Sequence, residues 1–254
     1  MTEIVQSIER ALTILEIVAE YNAGLGITEI SNRIDLHKST IHRLLSTLIH
    51  TGYIIQDPVT LKYRTTLKLY ELGCKRVANT DILTASRPYT KKLMEFTNEV
   101  VHLVVRDGNE IVYIDKVEAE NTITMLSTIG RRIPLYCTSV GKAILSQLDM
   151  EEVVKIWRTS NIIRKTPNTI INLEDMVEEL TKVRNLGYAV DEEENEEGIR
   201  CIGAAILNKD GDVEGAISIS GPIMRVTEDL INIYGEQAKN YALQISKELG
   251  YIPK

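Results

Sequence analysis

The sequence predicts an α+β chain in two parts, a helical N-terminal segment closed by a β-hairpin and a longer C-terminal domain of strands and helices. Three observations predict it. Apolar residues in the first fifty positions recur at three-four spacing, the period of a half-buried helix. Beyond residue 98 the texture changes to short β-branched runs separated by Asp107-Gly-Asn109 and Lys209-Asp-Gly211, both hairpin turns. Helical periods lie between those runs, and strand pairs interleaved with helices give an α+β domain.

In order, a first helix is expected over 2–21, with Ile8, Ala11, Leu12, Leu15, Val18 and Ala19 on its buried face. A short second helix is expected to start at Thr28 as its N-cap, with Ile30 and Ile34 inward. A third over 38–50 buries Ile41, Leu44, Leu45, Leu48 and Ile49 and stops at Gly52. Two short strands at 53–56 and 61–64, joined around Asp57-Pro58, form a hairpin, and a further helix at 67–79 can serve as a linker. In the second part, strands are expected at 99–106, 110–116, 122–127, 201–207 and 213–220. Helices are expected at 84–97, 139–148, 150–159, 173–186 and 226–249.

The 254 residues are 44% apolar, enough for a real core, and one Trp and one Phe make that core mainly aliphatic. No apolar run reaches the ~18 residues of a membrane span, and the start lacks the basic-then-apolar layout of a secretory signal. Cys74, Cys137 and Cys201 are odd in number and far apart, so they form neither a disulfide framework nor a zinc spacing. A cytoplasmic protein without metal or cofactor is the expectation.

Net charge is −7, yet from Arg33 to Arg76 eight basic residues face three acidic ones. A short basic stretch on an acidic chain is what phosphate contact requires. Within it, the outer face of the third helix carries Ser39, Thr40, His42, Arg43, Ser46, Thr47 and His50 and no carboxylate. Ordinary solvated helices mix Glu with Lys; an acid-free face suits phosphates and base edges. Helix, short helix, turn, helix, hairpin is the order of a winged helix-turn-helix, whose second motif helix enters the major groove. Ser39, Thr40, His42, Arg43 and Thr47 are therefore expected to face the groove, with Lys38 and the wing residues Lys62 and Arg64 on phosphates. A plain helical subdomain shares the same pattern.

Enzyme motifs fail. Gly141-Lys142 lacks the first glycine of a phosphate-binding loop, since position 136 is Tyr, and Ala143 stands where Ser or Thr should hold magnesium. There is no nucleophile elbow. Of the four histidines only His102 lies outside the N-terminal segment, and a lone strand His reads as structural. The acidic run at 191–197 lacks a calcium-loop spacing and reads as a solvated loop, its first member Asp191 excepted. Thr138 or Ser139 caps a helix with a small, open first turn, whose free amides and dipole suit a carboxylate. A plain helix start packed under the sheet is the other reading.

Several blocks in order resemble the IclR family of bacterial regulators. They are Ser7-Ile-Glu-Arg-Ala-Leu-Thr-Ile-Leu15, Ile27-Thr-Glu-Ile-Ser31, Lys38-Ser-Thr-Ile-His-Arg-Leu-Leu-Ser-Thr-Leu48 and Gly52-Tyr53. Further on stand Pro134, Thr138 and Gly141-Lys-Ala143, then Gly187-Tyr188 with Asp191, Glu193 and Glu194, Gly198-Ile-Arg-Cys201, and Gly215-Ala-Ile-Ser-Ile-Ser-Gly-Pro222. Residues 129–138 are especially similar to the KdgR-like branch, whose members answer to 2-keto-3-deoxygluconate.

The resemblance implies a winged helix-turn-helix domain at 1–65, a linker helix at 66–80 and a GAF-like effector-binding domain at 81–254. It implies a repressor of double-stranded, palindromic operator DNA, working as a homodimer or tetramer and controlled by a small carboxylate. The implied effector contacts are the backbone of Ser139 and Val140 with Asp191, Cys201, Ser218 and Ser220. The chemistry agrees: helix-start amides and hydroxyls suit a 2-oxo carboxylate, Asp191 can accept from sugar hydroxyls, and Ser218 and Ser220 share one sheet face. A small-acid enzyme, or an adaptor with a degenerate winged helix, are the alternatives.

Overall fold

The computed structural model describes residues 4–78, 81–119 and 127–253. The chain divides into two compact units, Met1–Asn79 and Thr80–Lys254.

In the first unit α1 (Gln6–Ala19), α2 (Ile27–Ser31) and α3 (Lys38–His50) pack against a hairpin of β1 (Ile54–Gln56) and β2 (Tyr63–Thr65). Helix α4 (Lys68–Ala78) follows. The core joins Ile14, Leu15 and Val18 of α1 with Ile30, Ile41, Leu45, Leu48, Ile54 and Tyr63. Two expectations are corrected here. Ile8 and Leu12 of α1 are 58% and 52% exposed, because the stripe that meets α3 begins at Ile14, and Ala19 of α1 and Ile49 of α3, also expected inside, are exposed at the helix ends. Helix α2 is capped at Gly26 rather than Thr28: the Gly26 N–H donates to Glu29 Oε2 at 2.7 Å and closes the first turn from within.

The second unit is built on an antiparallel sheet in the order β5-β4-β3-β8-β7-β6. Its strands are β3 (Val100–Asp107), β4 (Glu110–Val117), β5 (Arg132–Pro134), β6 (Ala189–Glu192), β7 (Ile199–Leu207) and β8 (Val213–Pro222). Strands β5 and β6 were not expected: each is short and carries charge or proline, so no alternation marks it. The strand expected at 122–127 falls on residues 120–126, which lie outside the described residues, and Ser127 itself is not in a strand.

Helices α5 (Asp81–Thr97) and α9 (Glu228–Glu248) cover one face of the sheet. There Val101, Leu103, Ile202, Ala204, Ile217 and Ile219 form the largest apolar cluster with Leu93, Ala238, Ala242 and Ile245. Helix α6 (Ser139–Gln147) lies on the other face, with α7 (Met150–Thr159) and α8 (Leu173–Leu186) beyond it. Residues Ser139 to Ser146 are buried all round. Two glycines allow that burial. A Cβ on Gly141 would lie 2.0 Å from the Leu135 carbonyl oxygen, and one on Gly203 would lie 2.9 Å from the Val140 nitrogen. The α6 N-terminus thus rests directly on β7.

Candidate functional site

Alternation along the strands decides what faces α6. In register, Asp191 of β6, Cys201 of β7 and Ser220 of β8 form one row across the sheet. Gly203, Ser218, His102 of β3 and Lys116 of β4 form the next. Both rows face α6, whose first amides have no partner one turn back. Thr138 is the cap, accepting from the Gly141 N–H at 3.1 Å.

The space left between is a narrow, partly open cavity. Ser139, Val140, Asp191, Cys201, Ser218 and Ser220, the six residues singled out in the sequence, all line it. So do His102, Tyr113, Ser127 and Arg131, which sequence reasoning missed.

Burial shifts several of these groups towards their neutral forms. Desolvation pushes the Asp191 carboxyl up to about 7, and neighbouring Glu194 adds to that, while Lys142 and amide contacts oppose it. Its Oδ1 accepts from the Glu194 N–H at 2.7 Å. Burial, and the charge of Lys116, push His102 down to about 3, so the imidazole is neutral. Its Nδ1 lies 3.3 Å from Ser220 Oγ and its Nε2 2.7 Å from Ser127 Oγ. Burial also raises the Cys201 thiol and the Tyr113 phenol, so both keep their protons.

The acidic run is not the solvated loop expected from composition. Asp191 is 3% and Glu194 4% exposed. Beneath the cavity Lys142 of α6, itself 1% exposed, pairs with Glu194 and, at 2.9 Å, with Glu179 of α8. Burial disfavours its ammonium, but the two carboxylates outweigh that and keep it charged. This triad ties the α6 start, α8 and the 191–195 turn together.

In the first unit, Lys38, Ser39, His42, Arg43 and Thr47 are exposed on α3, and Thr40 is half-buried. No acid stands in the first turn of α3. Arg64 lies in β2 and Lys62 just precedes it. Lys62 is 3.9 Å from Glu29, Arg64 is 3.5 Å from Asp57, and Lys38 donates to Thr28 Oγ1 at 2.9 Å. Such exposed contacts are weak and can be exchanged for phosphates. The hairpin turn is fixed by Asp57 Oδ1, which accepts from the Thr60 and Val59 amides at 2.8 and 2.9 Å.

Residues 7–58 match the IclR helix-turn-helix domain, and residues 74–247 match the bacterial transcriptional regulator IclR C-terminal domain. The chain belongs to the IclR family. It is 37% identical over 247 residues to the HTH-type transcriptional regulator KdgR of Escherichia coli K12, covering 97% of this chain and 94% of that one. It is 34% identical over 245 residues to the HTH-type transcriptional repressor AllR of the same strain, covering 96% of this chain and 90% of that one. Among solved structures, the Thermotoga maritima IclR superposes with a TM-score of 0.84 at 34% identity, covering 98% of this chain and all 100% of the other. The protein is accordingly an IclR-type, DNA-binding transcriptional regulator, and its relatives are regulators rather than enzymes.

The residues missed in this IclR-family chain had a signal, though not a local one. His102 is a lone histidine in the sequence; its two hydroxyl partners lie 118 and 25 positions away. Among the described residues no His, Cys, Asp and Glu group has a metal-binding arrangement.

Proposed function

We propose that this IclR-family chain is a repressor whose hold on a palindromic operator is set by a hydroxylated 2-oxo carboxylate, 2-keto-3-deoxygluconate being the model effector. On this reading the winged helix-turn-helix spans 1–65, the linker helix 66–80 and the effector domain 81–254. Ser39, Thr40, His42, Arg43 and Thr47 enter the major groove while Lys38, Lys62 and Arg64 meet phosphates. One short helix reads few bases alone, so a homodimer or tetramer on paired half-sites is required. The exposed Ile8 and Leu12, one turn apart on α1, are suited to meeting a second copy.

In the cavity, the ligand carboxylate takes the Ser139 and Val140 amides at the positive end of α6. Cys201, Ser218 and Ser220 surround the oxo group, and Asp191 takes a hydroxyl. The observation that carries this reading is the convergence of all six residues on one cavity at a buried helix N-terminus. The resemblance of residues 129–138 to the KdgR-like branch, with the 37% identity to KdgR, supports a sugar acid. The identity to AllR supports repression. Effector binding would redistribute DNA-competent and DNA-incompetent states through the linker helix. No described helix is long and apolar enough to cross a membrane, in keeping with work in the cytoplasm.

The test is an operator titration. Genomic fragments retained by the purified protein are bound in fluorescence anisotropy with and without 2-keto-3-deoxygluconate. The expected result is a loss of affinity of about tenfold or more with the acid. Arg43→Ala should abolish specific retention with an unchanged melting temperature. Fragments held equally by Arg43→Ala, or indifferent to every sugar acid tried, would overturn the assignment.

A further inference from the structure

The six residues assigned to the effector occupy only part of the cavity. From the α6 amides over Gly203 on β7, the lining runs on across β8 to His102 on β3 and Tyr113 on β4. Two strand spacings separate β7 from β3, about 10 Å. A three-carbon 2-oxo acid covers roughly half of that, whereas a six-carbon acid with its terminal oxygens spans roughly 8 Å and reaches hydrogen-bond range of the far end.

The far end has its own chemistry. Ser218 Oγ lies 3.4 Å from Ser220 Oγ, Ser220 Oγ lies 3.3 Å from His102 Nδ1, and His102 Nε2 lies 2.7 Å from Ser127 Oγ. Every member of this chain is both donor and acceptor, since a neutral imidazole carries one of each. Alcohols are also both donor and acceptor, whereas a carboxylate only accepts. A buried, neutral chain of this kind therefore matches hydroxyl groups and offers nothing special to a second anion. Ser127 is held in place from below, because Lys116, directly opposite His102 in the sheet, donates to the Ser127 carbonyl at 3.1 Å. The Tyr113 ring lies 4.8 Å from the His102 ring, closing the apolar side of the same space.

We infer that His102 and Ser127, joined to the head contacts through Ser220 and with Tyr113 beside them, form a second subsite that binds the hydroxylated tail of the effector, and that His102 sets the chain length accepted. The inference rests on the cavity being an effector site, and deepens that reading by separating a head subsite from a tail subsite.

Calorimetric titration of the full-length protein with 2-keto-3-deoxygluconate and with pyruvate, a head without a tail, tests it. The wild type should bind the six-carbon acid at least about tenfold more tightly than pyruvate. His102→Leu should lose about tenfold for the six-carbon acid and leave any pyruvate binding within about twofold. His102→Gln, which keeps a donor and an acceptor, should recover most of the loss. If His102→Leu does not fold, Ser127→Ala carries the same comparison, losing affinity for the long acid alone. Equal affinities for the two acids in the wild type, or variants that lose both acids in parallel, would overturn the tail subsite while leaving the effector cavity standing. Binding of neither acid by the wild type would remove both.

Discussion

The two faces of the C-terminal sheet are made by the same strands and do opposite work. Along β8, Ile217 and Ile219 point to α5 and α9, while Ser218 and Ser220 point to the cavity under α6. Along β7, Ile202 and Ala204 alternate with Cys201 and Gly203 in the same way. One face is sealed by aliphatic packing that needs no partner outside the chain. The other carries its own apolar cluster under α6, with Val104, Ile111 and Ala216, and beside it the polar groups of the cavity, supported from behind by an ion triad. A two-residue period thus separates aliphatic packing from the cavity lining within single strands.

The sharpest way to break that contrast is at the support of the polar face. Lys142→Met leaves the buried Glu194 carboxyl, whose pKa burial already raises, without its cationic partner, and should cost about 3–5 kcal/mol in urea denaturation. Lys142→Met combined with Glu194→Met should restore most of it, because the penalty lies in the unpaired buried carboxyl. A single variant that costs under about 1 kcal/mol would show the triad contributes little to holding α6.

Next comes the pair of neighbours Ile219 and Ser220. Ile219→Ala should cost about 3 kcal/mol of stability and leave effector affinity intact. Ser220→Ala should do the reverse, within about 1 kcal/mol of wild-type stability but about tenfold weaker in effector affinity. Matching losses in both assays would mean that the faces are not separable.

The smallest effect is a pH dependence confined to the cavity side. With its folded pKa raised to about 7 from an ordinary 3.8, Asp191 favours the folded state when protonated. Its contribution is full below about pH 4 and is lost as pH rises towards 7. Asp191→Asn removes the ionisable group while keeping an oxygen for the Glu194 amide. Relative to wild type it should gain about 2–3 kcal/mol between pH 5 and pH 8, measured by urea denaturation at both. A difference that stays constant with pH would place the Asp191 proton elsewhere.

Legibility in the sequence followed how local the causes are. Helix α3 has the same bounds in pattern and in structure, because thirteen residues of unbroken amphipathic period fix a helix without help. β5 and β6, of three and four residues, exist only because β4 and β7 present open edges to them. The acidic run was misjudged for a related reason. Composition marks Asp191 and Glu194 as solvent-loving, but Lys142, 52 positions before Glu194, draws the turn inward. The lining at the α6 end of the cavity was legible through a family resemblance. The His102 end was not, because a lone histidine acquires partners only when β3, β8 and Ser127 come together.

By itself the sequence determined the order of helices and hairpin, the basic acid-free face of α3, the strand alternation that puts Ser218 and Ser220 on one side, and membership of a regulator family. Tertiary structure alone decided which carboxylates are buried, that α6 starts directly over β7, and that His102 belongs to the same cavity as Asp191. The physical reason is that periodicity and local charge are properties of neighbouring residues. Desolvation, by contrast, is set by whatever the fold brings against a group from far along the chain.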